Sequence, residues 1–293
     1  MRTTDFSKAP AQARAGALLV VELGDAAAAV GPSGDSGATD RALVKQLTSA
    51  AGAVWHKKYR RGGGVTGVMV FFGQPRAAED ARATLDRASC SVRLLVAEQS
   101  GYSNGVWRAE GNVMAHIEHF TPTSVEAARG TTPPLVAGAA QTHRVTGSGG
   151  SPAGTPARTR DSISTETHGT ATVRPSNSSR GGRQPDRPVT DARAMFVGAT
   201  KYRGPRALIT LSRTWYPMIA RMQKLPGYVW HTIYWQPPFT LGTLTFFADR
   251  DDLLGFARLP AHRQLMQWIT RDTKNGTGGY IRLHVAPDEG VTR

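Results

Sequence analysis

The hydrophobic pattern divides the chain into two similar series of elements with a polar stretch between them. In the second series, apolar residues recur at helical spacing until Pro226 and Gly227, which end the helix. Aromatic and β-branched residues then predict a hairpin around Pro237 and Pro238. The predicted elements are strand Ala194–Thr200, helix Arg206–Leu225, strands Tyr228–Gln236 and Phe239–Phe247, a helix pair over Arg250–Asp272 and strand Tyr280–Ala286. Their order is β-α-β-β-α-β.

The first series predicts the same order. Its elements are strand Ala17–Leu23, helix Asp40–Ala51, strands Val54–Arg60 and Val65–Phe72, helix Pro75–Ala88 and strand Val92–Glu98. An additional strand, Val113–Phe120, leads out of this unit. Each series matches the ferredoxin-like βαββαβ motif. The predicted fold class is therefore α+β, with two ferredoxin-like units.

The two hairpins also repeat in sequence. Residues 51–74 and 226–249 align without a gap and agree at eight of 24 positions. The matched pairs are Gly52/Gly227, Val54/Val229, Trp55/Trp230, His56/His231, Tyr59/Tyr234, Gly67/Gly242, Phe71/Phe246 and Phe72/Phe247. Because Trp, His, Tyr and Phe are uncommon residues, the agreement indicates a duplicated fold. The repeated Trp-His is then first a structural signature.

The hairpin strands lack a clean polar face, which predicts that the sheets of the two units pack on each other, within one chain or between two. The stretch between the units is rich in Thr, Ser, Gly, Pro and Arg, so it cannot bury enough apolar surface to fold. The predicted organisation is a flexible N-terminus over 1–16, a first domain over 17–120, a disordered linker over 121–190, a second domain over 191–288 and a tail over 289–293.

Composition narrows the function classes. A net charge of +14 invites a nucleic-acid interpretation, but the basic residues are mostly scattered Arg, and no zinc-finger spacing or aromatic RNA-binding motif accompanies them. A single cysteine, Cys90, argues against a Cys-rich metal site. No apolar run approaches the roughly 18 residues of a membrane span. We expect a cytoplasmic protein without a membrane span, and we do not expect nucleic acid to be its main partner.

Two segments carry a resemblance to known proteins. FTLGTLTFFADRDDLLGFARLPAHRQLMQWITRD (Phe239–Asp272) and SNGVWRAEG (Ser103–Gly111) are similar to segments of the spheroidene monooxygenase-like group of carotenoid-biosynthesis proteins. More broadly, the chain resembles the dimeric α/β-barrel superfamily, which includes antibiotic-biosynthesis and haem-degrading monooxygenases, chlorite dismutases and aldoxime dehydratases. The resemblance implies that the two units pack as a dimeric α/β-barrel, as an intramolecular barrel or a homodimer.

The resemblance also implies a haem site. In haem-binding members of the superfamily a helical His near the barrel opening ligates iron, and His262 matches that position. Arg263 could pair with haem propionates or with an acidic group of a substrate, and a solvated surface charge is the alternative. Trp235, Phe246 and Trp268 would line a site for a flat, apolar ligand. An ordinary aromatic core with a hydrogen-bonded His is the alternative interpretation of these residues.

His231 offers a second centre. It lies in the predicted strand between aromatic residues and could be an alternative ligand, a general base or a proton donor, with Trp230 and Tyr234 beside it. In the first unit, His56 is followed by two lysines, whereas apolar residues follow His231. This asymmetry predicts that the second unit carries the pocket and that the first unit supports it.

The leading functional prediction is a haem-dependent, monooxygenase-like oxidoreductase that acts on a small apolar or aromatic metabolite. The Ala/Gly/Arg-rich composition is compatible with specialised-metabolite biosynthesis. Three alternatives remain open: a haem lyase resembling aldoxime dehydratases, a cofactor-free monooxygenase or cyclase of the same fold, and a basic binding module for an acidic partner without enzymatic activity.

Overall fold

The computed structural model describes residues 2–23, 36–61, 66–85, 90–98, 105–110, 113–114, 121–131, 187–270 and 274–287. The first part of the chain forms β1 (Arg2–Thr3), α1 (Ala11–Arg14), β2 (Ala17–Leu23), α2 (Ser36–Thr48), β3 (Ala53–Arg60), β4 (Thr66–Phe72), α3 (Pro75–Ala83), β5 (Cys90–Ala97), β6 (Gly105–Glu110), β7 (Val113–Met114) and α4 (Ser124–Ala128). After a turn of 3-10 helix at Val189–Asp191, the second part forms β8 (Ala194–Tyr202), α5 (Pro205–Met222), β9 (Tyr228–Gln236), β10 (Thr240–Phe247), α6 (Arg250–Ala257), α7 (Pro260–Thr270) and β11 (Gly276–Val285).

Local sequence accounts for the ends of several elements. Gly52 and Gly227 have φ angles of 80° and 70°, a left-handed conformation that glycine adopts without steric cost, and each leads from a helix into a hairpin. Asp249 caps α6, because its side chain accepts a hydrogen bond from the Asp252 amide over 2.8 Å. Pro205 opens α5 at a position where its missing N–H costs nothing.

The strands form one antiparallel sheet with the order β3-β4-β2-β5-β11-β8-β10-β9. Each group of four has the strand order of a ferredoxin-like unit. The last strands of the two units join them, with Ala97 opposite His284 and Val96 opposite Val285. This topology confirms the predicted fold class, two ferredoxin-like βαββαβ units that pack as an α/β-barrel.

The sheet is curled, so its inner face encloses one core made by both units. Both units contribute residues to this core: Leu18, Val20, Met69, Phe71, Leu95, Met195, Val197, Leu244 and Phe246. The outer face of each unit packs on its own helices and forms a separate core. Ring contacts close the barrel between the end strands: Trp55 lies 5.6 Å from Tyr234, and Tyr59 lies 4.9 Å from Trp230. The barrel of this structure is therefore formed within one chain.

The N-terminal segment is a correction to the expectation of a flexible extension over residues 1–16. Its residues Gln12 and Ala13 are buried. The Gln12 amide donates a 2.8 Å hydrogen bond to the Tyr280 hydroxyl, and Arg282 donates to the carbonyl of Ala13 over 3.0 Å. The segment packs because its small residues, including Ala9 and Ala15, fit against the inner core. They are too few to give a periodic signal.

Both ends of the segment predicted as a linker, residues 121–131 and 187–190, are folded in the structure. Residues 121–131 include a buried Thr121 and the helix α4, whose N-cap Thr123 forms a capping box with Glu126. At the other end, Thr190 is buried and donates to Glu22 over 3.2 Å. The remaining residues, 132–186, lie outside the described residues. Of the predicted strand Val113–Phe120, Val113 and Met114 form β7, and residues 115–120 lie outside the described residues. The strand that precedes it, β6, pairs with β11.

In the described part of the chain, no helix combines the length and the apolar character that crossing a membrane requires.

Candidate functional site

A cavity lies between the outer face of the second unit's sheet and the helices α5, α6 and α7. Its empty volume is about 570 Å³ including its open mouth, and the centres of water molecules can occupy about 60 Å³ of it. Its apolar wall includes Phe196, Trp215, Met218, Phe256, Leu265 and Ile269, and its polar lining includes Trp107, Thr200, Thr243 and His262. One water molecule needs about 10–15 Å³ of the space that is open to water centres. The cavity therefore has space for a few water molecules or for a small ligand.

His262 contributes an imidazole to this wall. It lies in the first turn of α7, and its Nδ1 is 2.9 Å from the carbonyl oxygen of Ala257. Because a carbonyl can only accept, Nδ1 carries the proton, and Nε2 keeps its lone pair. Nε2 makes no hydrogen bond within the described residues. Burial lowers the pKa of His262 to about 4, and the hydrogen bond to Ala257 opposes that shift. The ring is therefore neutral at pH 7 and offers one acceptor to the cavity.

Trp107 reaches the cavity from β6, outside both ferredoxin-like units. It is buried, and its indole lies over Gly279 of the neighbouring strand β11, where a Cβ would be 2.7 Å from the ring. Its Nε1–H makes no hydrogen bond to another described residue. Trp107 lies in the segment Ser103–Gly111 that carries the resemblance, but no role was predicted for it. The available signal was the Gly278-Gly279 pair, because glycine inside a strand often marks a close approach.

The other polar lining groups are neutral hydroxyls. Thr243 donates to the carbonyl of Thr232 over 3.2 Å, so its hydroxyl is already engaged. Tyr202 is buried, and burial raises the pKa of its phenol well above the ordinary value, so it stays protonated. Among the described residues that line the cavity, no side chain is charged at pH 7. The cavity therefore suits an uncharged, largely apolar ligand.

His231 lies on the same face of the sheet as the cavity but does not line it. Its Nδ1 is 2.6 Å from the hydroxyl of Tyr228. Burial lowers the pKa of His231 and raises the pKa of Tyr228 to about 12. The two side chains form a neutral, half-buried pair next to the helix-side core.

The structure places Trp230 and Tyr234 on the opposite, inner face of the sheet. Both belong to the shared core, and the Tyr234 hydroxyl is 2.5 Å from that of Tyr280. Phe246 is fully buried on the same inner face. The sheet therefore separates His231 from Trp230 and Tyr234, and the predicted group of three does not come together in one site.

The remaining predicted binding residues lie around the second unit without lining the cavity. Trp235 is 48% exposed and packs edge-on against Phe239. Trp268 packs in the helix-side core, and its carbonyl accepts from Asn275. Arg263 follows His262 on α7 and is half-buried. Of the predicted site residues, the described cavity wall contains His262.

The residues fit haem in one respect and not in another. A neutral His whose Nδ1 donates to a carbonyl and whose Nε2 is available has the donor set of an axial ligand. The volume of the cavity beside His262, however, is too small. Space for a few water molecules does not hold a tetrapyrrole while the helices keep these positions. The cavity in this arrangement of the helices therefore does not fit haem.

Comparisons with known proteins gave no matching family model and no match among curated proteins. Several solved structures are similar. A conserved protein from Methanosarcina mazei Go1 has 17% identity and a TM-score of 0.27, covering 31% of this chain and 92% of its own. SnoaB, a cofactor-independent oxygenase from Streptomyces nogalater, has 14% identity and a TM-score of 0.26, covering 35% and 99%. An anthrone oxidase-like protein has 9% identity and a TM-score of 0.29, covering 94% and 93%.

Proposed function

We propose that the chain is a monooxygenase-like oxidoreductase that binds a small, uncharged, aromatic metabolite in the cavity of its second unit. The observation that carries the proposal is the pairing of an apolar, aromatic wall with the neutral acceptor His262 Nε2. The resemblance of Phe239–Asp272 to monooxygenase-like proteins supplies the reaction class. This choice favours the cofactor-free alternative among the functions that the sequence left open.

The chemistry begins with a hydrogen bond. A hydroxyl of the substrate donates to Nε2 of His262, and the apolar wall excludes water around it. If the proton transfers to Nε2, the substrate anion lies beside an imidazolium. Opposite charges in contact raise the low pKa of His262, so the ion pair is stabilised only when the substrate is bound.

The substrate anion supplies the electrons. An aryl oxide conjugated to an activated methylene carbon is electron-rich enough to reduce dioxygen directly. In the balanced reaction, the carbon loses two hydrogens and gains one oxygen as a carbonyl, and the second oxygen atom leaves as water with those two hydrogens. The protein's part is to bind, deprotonate and shield the substrate.

Binding and turnover test this proposal separately. 1-Naphthol and 1-methylnaphthalene have similar size but differ in the hydroxyl, and calorimetry of both gives the selectivity for a donor. We expect His262→Ala to abolish that selectivity and to remove oxygen uptake with 1,3-dihydroxynaphthalene, whose keto tautomer carries an activated methylene carbon. His56→Ala, which removes an exposed histidine from β3 of the first unit, is the control. Oxygen uptake that is unchanged in His262→Ala contradicts the proposal.

A haem-dependent activity is the second candidate. The free Nε2 of His262 favours it, and it requires α5, α6 and α7 to move apart, because the cavity does not hold a tetrapyrrole while these helices keep their positions. Its test is the absorption spectrum of protein expressed with a haem precursor. A Soret band that is present in the wild type and lost in His262→Ala would support this candidate. A colourless protein after haemin is added would exclude it, and so would a band that His262→Ala leaves unchanged.

A further inference from the structure

We propose that the ion pair between Arg258 and Glu126 sets the position of His262, so that a segment outside the second unit determines the geometry of the cavity's acceptor. The proposal rests on the function assigned to His262 above. Arg258 and Glu126 are positioning residues, because neither lines the cavity. Glu126 lies in the connecting segment, residues 121–131, which follows the first unit.

The pair is bidentate. Arg258 Nη1 donates to Glu126 Oε1 over 2.6 Å, and Nη2 donates to Oε2 over 2.5 Å. Nη2 also donates to the carbonyl of Thr121 over 3.1 Å. This planar, two-fold geometry fixes the direction of the guanidinium as well as its distance. Arg258 is therefore fixed against the connecting segment at three oxygen atoms.

Arg258 is one residue from the group that orients His262. It caps the C-terminus of α6, and the preceding Ala257 provides the carbonyl that accepts from His262 Nδ1 over 2.9 Å. The residue before that, Phe256, packs its ring 4.9 Å from the imidazole. Phe256, Ala257 and Arg258 form the C-terminal corner of α6. If loss of the ion pair rotated this corner, the carbonyl of Ala257 and the ring of Phe256 would move together.

The other end of α6 is fixed to the same segment. Arg250 donates to Glu98 over 2.5 Å and to the carbonyl of Pro122 over 3.1 Å. The Ser124 amide donates to Asp251 Oδ1 over 2.9 Å. With α6 anchored at its N-terminus, a change at Arg258 is confined to the C-terminal corner, where Ala257 lies. The effect of breaking the pair should therefore be local and should reach His262 first.

A purely structural role is the competing explanation: the pair, with about a quarter of each side chain exposed, would then only stabilise the contact between α6 and the connecting segment. The two roles differ in the tautomer of His262. If Arg258 positions the corner, loss of the pair weakens the Nδ1–H···O=C bond and allows the proton to move to Nε2. A structural role would change the unfolding midpoint and leave the tautomer as it is.

The experiment is ¹⁵N NMR of the full-length protein with labelled histidines, using His262→Ala to assign the resonance. We expect Arg258→Gln and Glu126→Gln each to populate the Nε2–H tautomer and to reduce the selectivity for 1-naphthol over 1-methylnaphthalene by about two- to tenfold, the range for one hydrogen bond. Arg258→Lys should keep part of the effect, because lysine retains the charge but not the bidentate geometry. Arg221→Gln, at an exposed site on α5, is the control and should change neither readout.

A folded Arg258→Gln or Glu126→Gln protein with an unchanged His262 tautomer overturns the proposal. Glu126→Gln keeps the side-chain size and lies outside the second unit, so it remains informative if Arg258→Gln does not fold. Failure of the proposed function can be distinguished from failure of this positioning role. In that case the wild type shows no selectivity for 1-naphthol, while the tautomer still responds to the two variants.

Discussion

The ring of Trp55 packs 5.6 Å from that of Tyr234, and the equivalent residues in the opposite units, Trp230 and Tyr59, pack at 4.9 Å. Each contact thus pairs a repeated Trp of one unit with the repeated Tyr of the other. Such reciprocity is the mark of a two-fold interface, here between halves of one chain. The repeated sequence is therefore explained by the seam of the barrel, where both copies serve the same packing.

Coupling across this seam should be measurable. Trp55→Ala and Tyr234→Ala each remove a large ring from the shared core and should destabilise the protein. Because the rings touch, a double-mutant cycle should give a coupling of about 0.5–1.5 kcal/mol, as found for aromatic pairs. Urea unfolding of the wild type, both single variants and the double variant provides the values. Additive effects would show that the two units do not meet through these rings.

The repeated glycines lead to a second prediction. Gly67 and Gly242 lie under the rings of Tyr59 and Tyr234, and a Cβ at either position would overlap the ring above it. Gly67→Ala and Gly242→Ala should therefore each destabilise the protein by about 1–3 kcal/mol, as overpacked cores do. Gly255→Ala on α6 is the control, since a Cβ there meets open space and alanine favours a helix. Equal unfolding midpoints for all three variants would contradict this packing.

Stability in acid should depend on Glu126. The hydrogen bonds from Arg258, followed by the amide of Thr123, lower the pKa of Glu126 to about 2 from an ordinary value of 4.5. A depressed folded pKa stabilises the protein above the unfolded pKa, and that contribution is lost as the pH falls from about 4.5 towards 2. The stability difference between wild type and Glu126→Gln, measured by thermal unfolding, should therefore shrink over this range. A difference that is constant with pH would disprove the ion pair's contribution.

Ligand recognition should have its own pH limit. The pKa of His262 is lowered to about 4 because burial disfavours the imidazolium. Above that pH, Nε2 accepts a hydrogen bond, and below it the protonated ring has no acceptor. The selectivity for 1-naphthol over 1-methylnaphthalene should hold from neutral pH down to about 5 and disappear as the pH falls through 4. Loss of selectivity near pH 6.5 would indicate a solvated imidazole.

The sequence predicted the fold more fully than the site. Each strand of the repeated hairpins was predicted because its aromatic and β-branched residues form a local pattern, and β2 and β9 have the predicted bounds. His262 was selected through a resemblance, and the structure places it in the cavity wall. Its hydrogen bond to Ala257 was not predictable, because it depends on how α6 meets α7.

Strand geometry and contacts between residues far apart in the sequence explain why some site residues were misplaced or missed. Neighbouring residues of a strand point to opposite faces, so His231 and Trp230 could not share a site, although their adjacency suggested one. A register shift opposite Phe246 and Phe247 places Val229 and Trp230 together in the inner core. Trp107 was missed because its partner strand, β11, lies far along the chain.

The N-terminal segment gives the last prediction. The Tyr280 hydroxyl joins it to the barrel, since it accepts from Gln12 over 2.8 Å and lies 2.5 Å from the Tyr234 hydroxyl. Tyr280→Phe leaves the buried Gln12 amide without this partner, and an unsatisfied buried group costs about 1–3 kcal/mol. We expect that loss in urea unfolding, together with faster hydrogen exchange over α1. Gln12→Ala should cost less in the Tyr280→Phe background than in the wild type, because the shared bond is already gone. The contradicting outcome is that the effects of Gln12→Ala and Tyr280→Phe are fully additive and that α1 of the wild type exchanges at the rate of an unfolded chain. The N-terminal segment would then be flexible, as the sequence predicted.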